Sequence, residues 1–150
     1  MADWKAKEYY TVQLDGIPVE RLAGFLRGTL GLSEETAVRS QFYTKEAGDL
    51  AYSDSFDLAA YFAGRGSASV HMKTVCFDRA YRDGTCVICS DGTAAELECD
   101  IEEKDFDTQR VPALEAWLTE QIREGIAEYA SINYTFDNAP LFEIRKGDLS

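Results

Sequence analysis

The chain has 150 residues, a formal net charge of −12 and a pI near 4.4. This acidity argues against direct contact with nucleic acid or an anionic membrane surface, because both attract clusters of Lys and Arg. A hydrophobic content of 45% excludes a disordered chain. The polar residues 1–10 differ from a signal peptide, and no apolar run approaches the roughly 20 residues that span a bilayer.

No internal repeat, low-complexity segment or linker divides the sequence, so we expect a single domain over residues 1–150. A chain of this length can bury a hydrophobic core. The absence of an export signal predicts a cytoplasmic location, where the four cysteines would be reduced thiols.

The first half of the chain begins with a predicted strand at residues 9–14 and continues with a helix. Pro18 suits the first turn of that helix, and Gly31 suits its end. Ser33 is a good helix start, yet residues 38–44 alternate as in a strand, so we expect a short helix that leads into a strand. A further short strand or helical turn is expected within residues 49–62.

The second half predicts three strands, a long helix and a last strand. The three strands cover residues 69–78, 85–90 and 94–102, with hairpins at Asp83-Gly84 and Asp91-Gly92, because Asp-Gly favours two-residue hairpin loops. Apolar spacing predicts a helix over residues 112–130. The expected fold is therefore α+β: a mostly antiparallel sheet with a long C-terminal helix and one or two N-terminal helices packed on it.

The acids are concentrated in residues 96–107, which hold seven of them against one base, Lys104. The seven are Glu96, Glu98, Asp100, Glu102, Glu103, Asp105 and Asp107. Leu97, Cys99 and Ile101 alternate with the first four, and successive side chains of a strand point to opposite faces. The pattern predicts a strand with one face on the core and a row of carboxylates on the other.

The carboxylate row has two interpretations. It is either solvated surface, whose charge discourages edge-to-edge aggregation, or a docking site for a basic protein partner, which complementary charge would attract. In the predicted hairpin register, Arg82 and Thr85 neighbour Glu98 and balance part of the charge. Acidic proteins with such faces include toxin immunity proteins and nuclease inhibitors. Our first hypothesis is a non-catalytic binding protein of this kind, with the seven acids as its partner-binding residues.

Cys76, Cys86, Cys89 and Cys99 have a symmetric spacing that suggests zinc. In the predicted strands, however, Cys86 and Cys99 point into the core while Cys76 and Cys89 point away, so four sulfurs cannot converge on one ion. Carboxylates two residues apart on a strand are separated by roughly 7 Å, too far for neighbours alone to share calcium. We expect structural cysteines, no metal and no cofactor.

Two alternatives stay open. His71 is the single histidine, and pairing with a cysteine would make the protein an enzyme of unknown class, although no known catalytic motif accompanies it. The predicted element order is also similar to that of helix-grip domains, which enclose an apolar ligand, although the strand after the long helix departs from it. The lining of such a cavity would be Tyr52, Phe56, Tyr61, Phe62, Phe77 and Trp117.

Overall fold

The structure is a computed structural model that describes residues 9–44, 48–102, 111–134 and 139–149. The strands of these residues form one antiparallel sheet in the order β3-β2-β4-β5-β6-β1-β7-β8. The strands are β1 (Tyr9–Pro18), β2 (Ala37–Thr44), β3 (Gly48–Leu50), β4 (Arg65–Cys76), β5 (Ala80–Asp91), β6 (Ala94–Glu102), β7 (Tyr129–Tyr134) and β8 (Phe142–Arg145). The prediction of a mostly antiparallel sheet is confirmed.

The helices are short and pack on one face of this sheet. They are α1 (Val19–Gly24), which continues as a π-helical segment (Phe25–Thr29), α2 (Leu58–Ala63) and α3 (Pro112–Arg123), with a 3₁₀ turn at Lys146–Asp148. Leu22, Phe62 and Leu118 from these helices lie in the same buried cluster as Val12 and Leu97 from the sheet. We call the opposite face the outer face. No helix in the described residues is long and apolar enough to cross a bilayer.

Strand β1 forms because its apolar residues recur at every second position. Tyr10, Val12 and Leu14 are buried, and the residues between them point to the outer face. Gly16 has a φ of +75°, and the register with β6 shifts between Asp15 and Ile17. Glycine tolerates this conformation, and the resulting bulge returns Ile17 to the core.

The expected hairpin at Asp91-Gly92 is present between β5 and β6, with its loop one residue later than predicted. The Asp91 carboxylate accepts hydrogen bonds from the backbone N–H groups of Thr93 and Ala94, which lower its pKa. The observed register pairs Cys86 with Cys99, whereas the predicted one paired Cys86 with Leu97. A shift of two residues leaves every side chain on its predicted face, because the strand period is two.

The expected hairpin at Asp83-Gly84 is wrong. Both residues lie inside β5, and the β4–β5 connection is formed by residues 77–79. Asp83 adopts a left-handed φ of 57°, as the dipeptide favours, but β4 continues opposite it and the chain does not reverse. The alternation of buried residues on β5 changes phase at this point: Tyr81 is buried before Asp83, and Gly84 and Cys86 are buried after it.

The predicted long C-terminal helix is also wrong, because the helices that pack on the sheet are all short. Helix α3 has 12 residues and ends at Arg123. Gly125 follows with a φ of +78°, which terminates helices readily. Residues 124–128 of the predicted helix form a turn, and its last two residues begin strand β7, which pairs between β1 and β8 and buries Ala130 and Ile132.

The N-terminal helices agree with the sequence in part. The predicted helix ends before Gly31, which has a φ of +85°. The predicted short helix after Ser33 is wrong: Ser33 accepts a hydrogen bond from Ala37 N–H, and β2 begins immediately. Its side-chain hydroxyl also bonds Thr36 N–H at 3.2 Å, so the serine caps a turn.

The aromatic residues expected to line a ligand cavity pack against one another. Phe42 lies 4.7 Å from Phe56 and 5.3 Å from Tyr61, between ring centroids, and both contacts are edge-to-face. Phe77 meets Trp117 at 5.5 Å in the same manner. Such contacts fill a core. Since the long helix is also missing, the helix-grip comparison does not hold.

Substitution of Gly84 tests how closely the buried side chains pack around this glycine. A Cβ at Gly84 would lie 2.5 Å from Val75 Cγ1 and 3.0 Å from Cys99 Sγ. We expect Gly84→Ala to lower the free energy of unfolding by about 1–3 kcal/mol, because the buried face would be overpacked. The measurement is urea denaturation. The matched control is Gly28→Ala, where nothing lies within 4 Å and no loss is expected. Equal stability of the two variants would contradict the close approach of Val75 and Cys99 to Gly84.

Candidate functional site

The outer face of the three central strands brings small or apolar side chains beside a row of carboxylates. Its outward residues are Thr85, Val87 and Cys89 on β5, Asp100, Glu98 and Glu96 on β6, and Thr11, Gln13 and Asp15 on β1. One residue from each strand forms a line across the sheet, for example Val87, Glu98 and Gln13. We call Glu96, Glu98 and Asp100 the acidic row.

The acidic row is poorly compensated. Asp100 accepts a hydrogen bond from Thr11 Oγ1 at 2.7 Å. Glu96 and Glu98 are exposed, and no Lys or Arg within the described residues pairs with either carboxylate. Asp15 lies directly across from Glu96 on β1. Gln13 Nε2 donates to both carboxylate oxygens of Asp15, at 3.1 and 3.0 Å. Like charges at directly opposite positions destabilise a sheet, so the register places Asp15 and Glu96 where they repel each other.

Of the seven predicted site residues, four lie in the described part of the chain and three lie outside it. Glu96, Glu98 and Asp100 share the outer face as expected. Glu102 is the last residue of β6 and pairs through its backbone with Tyr9. Glu103, Asp105 and Asp107 lie outside the described residues. Their part in a site, and the docking role of the whole set, stay predictions.

The expected local balance by Arg82 is wrong. Arg82 pairs with Thr74 on β4, because the strand runs on through Asp83, and Glu98 faces Val87 and Gln13 instead. Asp15 was missed as a site residue. Its alternation with Leu14 marks it as outward, but nothing local to β1 shows that β6 is its neighbour.

Exposed apolar side chains lie on β5, which adjoins the acidic row, and on β2, which is separated from β5 by β4. The large hydrophobic residues exposed in the described part of the chain are Val38 (57%), Tyr43 (46%) and Val87 (43%), and they belong to β2 and β5. A groove of about 660 Å³ is lined by Tyr43, Arg65, Cys89 and Glu96, among others. A second of about 670 Å³ is lined by Val38 and His71 among others. The outer face thus combines exposed apolar side chains and carboxylates with two arginines, Arg39 and Arg65, that line its grooves.

His71 has no cysteine partner. Its Nδ1 lies 3.0 Å from Thr85 Oγ1, and its Nε2 lies 3.5 Å from Asp83 Oδ1. Cys86 points to the opposite, buried face, and Cys89 lies four residues beyond Thr85, roughly 13 Å along β5. The nucleophile–base pair required for the enzyme alternative is therefore not assembled.

The cysteines divide between the faces. Cys86 and Cys99 are buried and Cys89 is exposed, as predicted, while Cys76 is half-buried near Gly31. Sulfurs on opposite faces cannot share a tetrahedral ion. The described residues contain no group of three or more side chains placed to hold a metal.

Comparison with known proteins gives a likeness of fold. No protein-family model matches the chain, and no curated protein matches it in sequence. The chain is similar to a chain in the crystal structure of the toxic C-terminal tip of CdiA from Pseudomonas aeruginosa in complex with immune protein, with a TM-score of 0.71 and 14% identity. The match covers 97% of this chain and 100% of the other. At this identity, the similarity establishes the fold alone.

Thiol reactivity tests the orientation of β5. We expect Cys89 to be the fastest thiol to react with N-ethylmaleimide in the folded protein, since it is exposed while Cys86 and Cys99 are buried. Burial and the hydrogen bond with Cys86 also raise the pKa of Cys99 and disfavour its reactive thiolate. Mass spectrometry over time should show one rapid modification that is absent in Cys89→Ser. A rapid modification that persists in Cys89→Ser would contradict this orientation.

Proposed function

We propose that this protein is a non-catalytic, immunity-type inhibitor that acts in the cytoplasm by binding a basic protein through its outer face. The observation that carries the proposal is that Glu96 and Glu98 are exposed without an ion pair to any Lys or Arg of the described residues, while Asp15 lies opposite Glu96 on the neighbouring strand. A cationic partner would relieve this repulsion. Complementary charge also accelerates encounter.

Two observations support an immunity-type protein with a basic partner: the similarity of fold and the net charge. The similar chain comes from a complex of a toxin tip with an immune protein, so this fold occurs in such a complex. A net charge of −12 suits the inhibitor's side when the toxin is basic. Enzymes that act on nucleic acid have basic surfaces, because they bind phosphate groups. Toxins of that class are the partners that the proposal favours.

The arrangement of the strands suits an Arg or Lys side chain. Val87 lies directly across from Glu98, so an apolar surface adjoins a carboxylate. The methylene stem of a partner's Arg or Lys would cover Val87 while its charged head reached Glu98. Tyr43 and Cys89 line the groove beside Glu96 and offer a place for a second anchor. Aromatic residues in such pockets often dominate binding energy.

Reversal of the acidic row tests the electrostatic part of the proposal. We expect Glu96→Lys/Glu98→Lys to reduce the association rate at low salt by about tenfold or more, because steering would be lost. The partner is first captured from the source cells with the wild-type protein as bait. Rates are then measured with the purified partner at low and high salt, and co-expression shows whether the wild-type protein neutralises its toxicity.

The matched control for this experiment is Glu20→Lys/Glu124→Lys. These two exposed acids lie on the helical side of the molecule, and their reversal changes the net charge by the same amount. We expect the control to retain most of the association rate. Equal losses of association rate in the two variants would show that net charge, and not the acidic row, determines the rate. If neither variant changed binding, the acidic row would be solvated surface.

The apolar part is tested separately. We expect Tyr43→Ala and Val87→Thr each to weaken binding by about 1–2 kcal/mol, mainly through faster dissociation, because they remove apolar contact without changing charge. Both side chains are exposed, so thermal stability should change little. Surface plasmon resonance with the purified partner measures the dissociation rate. Unchanged dissociation rates in both variants would show that Tyr43 and Val87 are not part of the interface.

A further inference from the structure

We propose that Cys86 and Cys99 are a redox-active pair that closes into a cross-strand disulfide when the protein folds in the presence of a low-molecular-weight disulfide. The bond would join β5 to β6 beneath the outer face. The inference does not depend on the proposed function, because it concerns the buried side of these strands.

The register places the two thiols together. Cys86 and Cys99 are directly opposite residues of neighbouring antiparallel strands, and their sulfurs lie 2.9 Å apart. Opposite residues in such a pair have Cα atoms about 4.5–5.5 Å apart, within the range that disulfides accept. The sulfurs need to approach by only about 0.9 Å to reach bonding distance. Backbone rearrangement is therefore unnecessary.

The surroundings hold the pair in place. Both residues are at most 1% exposed. Gly84 lies two residues before Cys86 on the same face, and a Cβ there would lie 3.0 Å from Cys99 Sγ, so the glycine leaves space for that thiol. A larger residue at position 84 would displace the sulfur from its partner.

The reaction balances with a small disulfide such as oxidised glutathione as the oxidant. One cysteine thiolate attacks the small disulfide, forms a mixed disulfide and releases one glutathione thiolate. The second cysteine attacks the protein-side sulfur and releases the other glutathione. The cysteine sulfurs lose two electrons and two protons, which the two glutathione molecules carry away as thiols.

The same burial that aligns the thiols protects them in the folded state. The hydrogen bond with Cys86 and burial raise the pKa of Cys99 well above its usual range, and the thiolate is the species that attacks a disulfide. Oxidant also has to reach the buried side of two central strands. Closure is therefore expected during folding and only slowly afterwards.

The test uses full-length protein with Cys89→Ser, which removes the exposed thiol. Reduced, unfolded protein is refolded either in oxidised glutathione or in reduced glutathione alone. Free thiols are then alkylated in denaturant, and the chain is cut at its acidic residues between positions 89 and 99. We expect the oxidised sample to contain a reducible link between Cys86 and Cys99, and its Tm to rise by roughly 5–10 °C.

A Cys89→Ser/Cys99→Ser variant is the control, and its Tm should be the same after both refolding protocols. Alkylation of both Cys86 and Cys99 in most oxidised molecules would overturn the proposal. A link from either residue to Cys76 in place of the expected pair would also overturn it. A Cys86–Cys99 link that lowered the Tm would show a strained bond and contradict the geometry.

Discussion

The two-residue period of the central strands is the constraint on which the rest of the molecule depends. On β6, Leu97 and Cys99 are fully buried, and the residues between them have to point outward. Burial of each apolar side chain is worth about 1.5–3 kcal/mol. Repulsion between opposed carboxylates is smaller, since cross-strand pairs contribute roughly 0.2–1 kcal/mol. The core therefore fixes the acidic row in place without any need for local compensation.

This constraint also gives the two faces of the sheet different chemistry. The helices cover the inner face, and the outer face keeps Glu96 and Glu98 beside Val87 and close to Tyr43. Charge would steer a partner toward the row, and the apolar side chains would slow its departure. Val87 on β5 adjoins Glu98 on β6, and Tyr43 on β2 shares a groove with Glu96, so the two contributions would act on the same region of a partner.

Local pattern was enough to predict the parts of the fold that depend on neighbouring residues. Alternation placed Glu96, Glu98 and Asp100 on one face, and glycine chemistry placed a helix end at Gly31. The errors arose where the outcome depends on distant strands. Asp83 adopts the left-handed φ that an Asp-Gly turn requires, but Gly84 does not, and pairing with β4 holds both residues inside a strand.

The remaining parts could not be predicted from local pattern for the same reason. Residues 129–134 became a strand because β1 and β8 pair with them, while Gly125 ended the helix early. The pairing of Asp15 with Glu96 joins segments far apart in sequence. Only the strand order reveals that these two residues lie directly opposite each other.

Carboxyl footprinting of the complex is the most direct test of the central claim. Carbodiimide labelling, followed by mass spectrometry, is compared for the free protein and for its complex with the partner from the source cells. The account predicts protection of Glu96 and Glu98 in the complex, with Glu20 and Glu124 labelled equally in both samples. Protection of Glu20 and Glu124, with Glu96 and Glu98 still labelled, would place the partner on the helical side and contradict the account.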